Sequence, residues 1–113
     1  MCGINGFNFK NDRLIVEMSS CTKSRGPDFT DYFKSENYSV SHNRLAIIDP
    51  ESRSNKSFKF KNLILSFNGE IYNYLELKEK LKSKGYNFLT NSDTEVIIKL
   101  FYEYEEESFK FLS

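Results

Sequence analysis

An α+β domain is predicted by three observations on this 113-residue chain. Strand-like apolar runs occupy separated stretches of the first two thirds. In the last third, apolar residues recur at helical spacing instead. Hydrophobic residues make up 39% of the chain, with 11 Phe and 7 Tyr, enough for one small packed domain and no more.

Each element follows in order. Gly3 to Phe9 reads as a short strand whose apolar content is Ile4 and Phe7. Leu14, Ile15, Met18 and Cys21 recur at one-turn spacing and predict an amphipathic helix, with Cys21 as a structural residue on its apolar face. Arg25-Gly26-Pro27-Asp28 breaks that helix, because Pro27 disfavours helix in its predecessor and Gly26 permits unusual dihedrals. Tyr38 to Ile48 is strand-like with a fault: Tyr38 and Val40 share one face, Leu45 and Ile47 the other. A bend or bulge near His42-Asn43-Arg44 would reconcile the halves. Leu63 to Phe67 predicts a buried strand, and Phe58 and Phe60, alternating with lysines, an edge strand before it. Tyr74, Leu77 and Leu81 mark a helix that stops near Gly85, with Asn73 as a candidate cap. Ser92-Asp93-Thr94-Glu95 fits a capping box, followed by Val96, Ile97, Leu100, Phe101 and Tyr104 at helical spacing. The chain reaches Ser113 without returning to strand, so its sheets are expected to be incomplete.

Sixteen basic residues balance sixteen acidic ones, which argues against a role on nucleic acid or at a membrane surface driven by net field. No apolar run approaches the roughly 20 residues needed to span a bilayer, and the N-terminus is no signal peptide. A cytoplasmic protein with reduced thiols at Cys2 and Cys21 is the expectation. His42 is the single histidine, and one imidazole makes no metal site, so it is read as a core or supporting residue.

Cys2 carries the most chemistry. Removal of Met1 would place a sulfur nucleophile and an α-amine, intrinsic pKa about 8, on one residue, so that the amine serves as a built-in base. If Met1 stays, the amine belongs to Met1 and the thiol lacks that base. Arg44, among apolar neighbours, demands an anion if buried. Asn68-Gly69 on its own is a good tight-turn dipeptide. Asp93 would favour a helix dipole, a role compatible with ligand binding. Glu70 alone reads as a solvated acid, and Arg25 and Asp28 as residues that pair or brace their loop.

Five segments in order change the weight of these readings: Met1-Cys2-Gly3-Ile4, Ser24-Arg25-Gly26-Pro27-Asp28, His42 through Asp49, Asn68-Gly69-Glu70-Ile71-Tyr72-Asn73, and Ser92-Asp93-Thr94-Glu95-Val96. Together they resemble the class II glutamine amidotransferase domain of glutamine-hydrolysing asparagine synthetases, which are N-terminal-nucleophile hydrolases. The Arg-Gly-Pro-Asp and Asn-Gly-Glu-Ile-Tyr-Asn forms favour the asparagine synthetase branch. Ser24 departs from the histidine most often found before Arg-Gly-Pro-Asp. The resemblance implies an αββα sandwich with antiparallel sheets, of which residues 1–113 are the N-terminal portion, with the C-terminal part and the synthetase domain missing.

The same resemblance implies the site. Arg44 would clamp the glutamine α-carboxylate, backbone groups of Leu45, Ala46, Ile47 and Ile48 would line the ligand, and Glu70 and Asp93 would hold its ammonium end. Cys2 would attack the γ-amide, and the Asn68 side-chain amide with the Gly69 N–H would form the oxyanion hole. Ammonia and a γ-glutamyl thioester, then glutamate, would follow, with the ammonia destined for asparagine. No cofactor or metal is expected in this chain, since no Ser-Gly-Gly-type phosphate loop occurs and ATP and Mg would belong to the synthetase domain. Glutamine as substrate, the missing synthetase domain or a separate chain as partner, and an open question of homodimerisation complete the expectation. The alternatives are a catalytically incomplete remnant and a module that binds glutamine without turnover.

Overall fold

Residues 2–45 and 58–113 are described by the computed structural model, and among them five strands and three α-helices form. In chain order they are β1 (Gly3–Phe7), α1 (Asp12–Thr22), β2 (Phe29–Lys34), β3 (Ser39–Arg44), β4 (Phe58–Phe60), β5 (Leu63–Leu65), α2 (Tyr74–Ser83) and α3 (Asp93–Tyr104). Short 3₁₀ segments follow α1 and α3, at Lys23–Arg25 and Glu105–Phe111. Every strand pairing is antiparallel, so the architecture is the α+β class expected from sequence. The described residues fall into two compact units: 2–45 with Ser66–Asn68, and 58–65 with Gly69–Ser113.

In the first unit β3 is the central strand, between β1 and β2. Its register is continuous on both sides, from Gly3↔Asn43 to Phe7↔Ser39 and from Phe29↔Arg44 to Lys34↔Ser39. The expected bulge at His42–Arg44 is therefore not there. A strand paired on both edges, with five of its six residues buried, does not need one to bury both faces. The partner strand β2 is an addition to the elements expected from sequence, and Phe29, Tyr32 and Phe33 are good strand formers.

Helix α1 is capped by Asn11, whose side chain accepts the Leu14 N–H at 2.9 Å. It lies on β1 and β3. Ile15 and Ser19 are its buried residues, so its inward face runs through positions 15, 19 and 22. Cys21 points well off that line and is exposed, which corrects its expected place in the core. At the loop that follows, space rather than unusual dihedrals selects glycine: Gly26 has φ −146°, yet a Cβ there would come within 2.2 Å of the Asn43 carbonyl oxygen.

The second unit is built on an apolar seam. Leu77 and Leu81 of α2 meet Val96 and Leu100 of α3, with Ile71, Tyr74, Tyr86, Phe88, Tyr104, Phe111 and Leu112 packed around them. Helix α2 ends as read: Gly85 takes φ 95°, and the Gly85 and Tyr86 N–H groups return to Lys82 O and Leu81 O. The β4–β5 hairpin pairs Phe58↔Leu65 to Phe60↔Leu63 and packs on α3, with β5 stopping short of the expected Phe67.

Two caps differ from expectation. Asn73 precedes α2, but its side chain makes no cap bond; it donates to Phe111 O at 2.7 Å and accepts from Ser113 N at 3.0 Å. Ser92 caps α3 by accepting the Thr94 N–H at 3.2 Å, while the Glu95 arm of the capping box turns to the preceding loop instead. No helix among the described residues is long and apolar enough to cross a membrane.

Candidate functional site

Strand pairing organises the first group of candidate residues. Gly3 pairs with Asn43 at the end of the β1–β3 ladder, so Cys2 is the residue just before the first paired residue of β1 and Arg44 the residue just after its partner on β3. Cys2 is half-buried and its thiol is free. From the stretch Ser66–Asn68, the Asn68 side-chain amide donates to the Cys2 carbonyl at 3.4 Å. Cys2, Arg44 and Asn68 are thus brought into one unit from three distant parts of the chain.

Arg44 is 2% exposed. Its guanidinium carbon lies 5.3 Å from the centroid of the Phe29 ring, its partner across β2. Among the described residues its buried Nε has no hydrogen-bond partner. A buried guanidinium in that state favours an incoming anion, because desolvation is costly until a charge-assisted bond replaces the lost water. The Arg44 carbonyl accepts the Asp28 N–H at 3.1 Å, so the Arg-Gly-Pro-Asp loop braces the end of β3 at this residue. Leu45, next in the chain, is half-buried. Ala46, Ile47 and Ile48 lie outside the described residues.

His42 shares the Arg44 face of β3, two residues back, and sits opposite Asp31 of β2. It is buried, as the core reading requires. Burial pushes its pKa below the usual value; Asp31 opposes that shift and Arg44 adds to it. The imidazole is therefore held neutral near pH 7, which avoids a second cation beside Arg44. In the sequence Asp31 carries no signal, because only its pairing with β3 sets it opposite His42.

The remaining candidates belong to the second unit. Gly69 and Glu70 are exposed, and Asp93 is half-buried as the first residue of α3. With Asn91, Ser92 and Tyr72 they line an open concavity of about 400 Å³. Asp93 Oδ2 accepts the Ile71 N–H at 3.0 Å, which ties the start of α3 to the Asn-Gly-Glu-Ile segment. Asp93 also sits where a carboxylate complements the helix dipole, as the structural reading of it expects. Asn68 and Gly69 follow β5 and precede α2, so they are not the turn of a hairpin. A larger concavity, about 810 Å³, is lined by Asn62, Tyr102 and Glu105 to Glu107 among others and contains none of the candidate residues.

Chemically, the first group offers a thiol, a guanidinium Nε without a partner among the described residues and a primary amide donor; the second offers two carboxylates around a concavity. Among the described residues no group of three or more His, Cys, Asp or Glu is placed to hold a metal ion. Glu95 is a buried carboxylate whose surroundings the sequence hides. It is 0% exposed and its carboxylate is fully engaged, but its position three after Ser92 explained it away as a cap.

Comparison with known proteins bears on both groups. A family model described as a glutamine amidotransferase domain matches residues 1–113. An asparagine synthetase [glutamine-hydrolyzing] 1 of Bacillus subtilis (strain 168) is 40% identical over 117 residues, covering 96% of this chain and 18% of the relative. The maize (Zea mays) asparagine synthetase [glutamine-hydrolyzing] is 45% identical over 94 residues, 82% of this chain and 16% of its own length. Asparagine synthetase [glutamine-hydrolyzing] 2 of Arabidopsis thaliana is 41% identical over 115 residues, 95% and 19% respectively. The chain spans less than a fifth of the length of these relatives.

Proposed function

The chain belongs to the glutamine amidotransferase domain family, and from that premise we propose that it hydrolyses glutamine to glutamate and ammonia through a thioester on Cys2. The observation that carries the reading is the gathering of Cys2, Arg44 and Asn68 in one unit by the β1–β3 register and the Asn68–Cys2 hydrogen bond.

The reaction assigns each group a task. Arg44 takes the substrate α-carboxylate, offering the Nε edge that lacks a partner among the described residues. Glu70 and Asp93 receive the α-ammonium, and Leu45 with Ala46, Ile47 and Ile48 supplies backbone contacts. The Cys2 sulfur attacks the γ-carbonyl carbon, a C–S bond forms, and the carbonyl electrons move to oxygen. The Asn68 amide and the Gly69 N–H stabilise that oxyanion. Collapse breaks the C–N bond, and the departing nitrogen takes the proton released by the thiol, relayed by the α-amine of a mature Cys2. Water then adds to the thioester, the C–S bond breaks, and glutamate leaves.

The αββα sandwich of N-terminal-nucleophile hydrolases is the proposed fold, supported by helices laid on antiparallel strands within each unit. The proposed destination of the ammonia is asparagine, made with ATP and Mg by a synthetase portion like that implied by the relatives' length. A cytoplasmic setting, and glutamine as the only ligand of these residues, belong to the same proposal.

The test is a glutaminase assay on protein with Cys2 at its N-terminus. Glutamate and ammonia should form in equal amounts, fall to background in Cys2→Ala, and drop by roughly 10²–10³-fold in Asn68→Ala. A folded, processed protein that leaves glutamine intact sinks the catalytic reading.

A further inference from the structure

We infer that Glu95 is a positioning residue for the ammonium end of the substrate, holding the loop before α3 so that Asp93 is presented to the ligand. The inference rests on the proposed glutamine site and adds a residue to it.

The geometry is specific. Glu95 is 0% exposed on the first turn of α3, and its carboxylate turns back to the loop that precedes the helix. Oε1 accepts the Leu89 N–H at 2.8 Å and the Lys99 ammonium at 2.8 Å. Oε2 accepts the Thr90 N–H at 2.7 Å and the Thr90 hydroxyl at 2.6 Å. The four acceptor sites of the carboxylate are therefore all used.

The same loop is tied at neighbouring points. Lys99 also donates to the Asn87 carbonyl. The Thr90 hydroxyl oxygen accepts the Ser92 N–H at 3.2 Å. Lys78 donates to Thr90 O at 3.2 Å and to Asn91 Oδ1 at 3.0 Å. Asn91, Ser92 and Asp93 then line the 400 Å³ concavity with Gly69 and Glu70. Two backbone amides on one buried carboxylate thus fix the approach to the residues that face the ligand.

An ordinary helix cap does not require this arrangement, since Ser92 already caps α3. Nor does core packing: a buried carboxylate with its lysine is an expensive way to fill space, and apolar residues of like volume often do as well. What the carboxylate achieves, and an apolar side chain cannot, is to hold two consecutive loop N–H groups at once. Glutamine in its place has one acceptor oxygen and a donor NH₂, which would face one of the loop donors.

The experiment compares binding of glutamine with that of 4-carbamoylbutanoate, which lacks the α-ammonium, by calorimetry in a Cys2→Ser background that prevents turnover. Glutamine should bind more tightly than the analogue, and Glu95→Gln should narrow that preference roughly tenfold while the analogue's own affinity changes little. A merely structural role would weaken both ligands alike. Thr90→Val, which removes the hydroxyl contacts and keeps the backbone bonds, should narrow the preference less, and it decides the matter if Glu95→Gln does not fold. A preference retained in the folded variants overturns the inference. Absence of any preference in the parent overturns the proposed ammonium site itself.

Discussion

In the first unit α1 meets the sheet through hydrogen bonds; in the second α2 meets α3 through hydrocarbon. Asn43 of β3 accepts from Ser19 and Thr30 hydroxyls at 2.9 and 2.8 Å and donates to Ser19 O at 2.7 Å and to the Thr22 hydroxyl at 2.9 Å. Asn5 of β1 donates to the Thr22 and Ser41 hydroxyls at 2.8 and 3.1 Å. Ile15 is the one fully buried aliphatic residue among the described residues of that unit. By contrast, Leu77, Leu81, Val96 and Leu100 form the seam of the second unit, with no polar group among them. The polar interface demands that every partner be present, whereas the apolar seam tolerates exchange if volume is kept. Cys2 and Arg44 belong to the former unit, where directional bonds set strand and helix positions closely.

The largest expected effect tests that demand. Asn43→Leu keeps the branched shape but strips partners from Ser19 and Thr30 and one of several from Thr22, at about 1–3 kcal/mol for each buried group left unsatisfied. Chemical denaturation should show the first unit unfolded or nearly so, with the second unit's amides still protected from hydrogen exchange. Mild destabilisation instead would mean that the network relaxes as freely as an apolar core.

Next comes Leu100→Ala, a residue 0% exposed in the second unit. Its loss should cost about 2–5 kcal/mol, from lost burial plus the cavity left behind. Hydrogen exchange should accelerate in α2 and α3 while β1, β2 and β3 keep their protection; equal acceleration in both units would erase the distinction drawn between them.

The smallest effect is a separation in pH. The His42 pKa is lowered in the fold, chiefly by burial, so its contribution to stability is present above the unfolded value near 6.5 and is lost as pH falls below it. The Glu95 carboxyl moves the other way from what burial alone would do: hydrogen bonds from Lys99, Thr90 and the loop amides outweigh desolvation and hold its pKa below 4.5. Its contribution is therefore present above pH 4.5 and is lost only as pH drops below that. Acid titration followed by residue-resolved exchange should loosen the first unit before the second, and His42→Asn should flatten the earlier step.

The legible part of the molecule is uneven for the same reason. Helices α1, α2 and α3 are readable because their apolar spacing lies within a dozen or so consecutive residues, with Gly85 ending α2 and Ser92 capping α3. β2 is not, since a six-residue strand with Asp31 inside it looks like a loop until β3 pairs with it. The polar α1 interface defeated a search for apolar stripes: Ser19 buries where a Leu would have been expected, and Cys21 was assigned to a face it does not occupy. Among candidate site residues, Cys2, Arg44, Asn68, Gly69, Glu70 and Asp93 stand out in motifs, but no spacing in the chain says that Gly3, next to Cys2, pairs with Asn43, next to Arg44.

Family membership, the helices and the Gly85 and Ser92 ends of two of them, and the candidate site side chains all follow from contiguous residues, because capping, periodicity and short motifs are local physics. Folding itself chose the pairing of Gly3 with Asn43 beside Cys2 and Arg44, the close approach that excludes a side chain at Gly26, and the turn of Glu95 away from its cap to the loop. Each of these depends on which distant backbone arrives alongside. The free energy that selects among such arrivals is shared across the whole of a unit rather than written in any one segment of it.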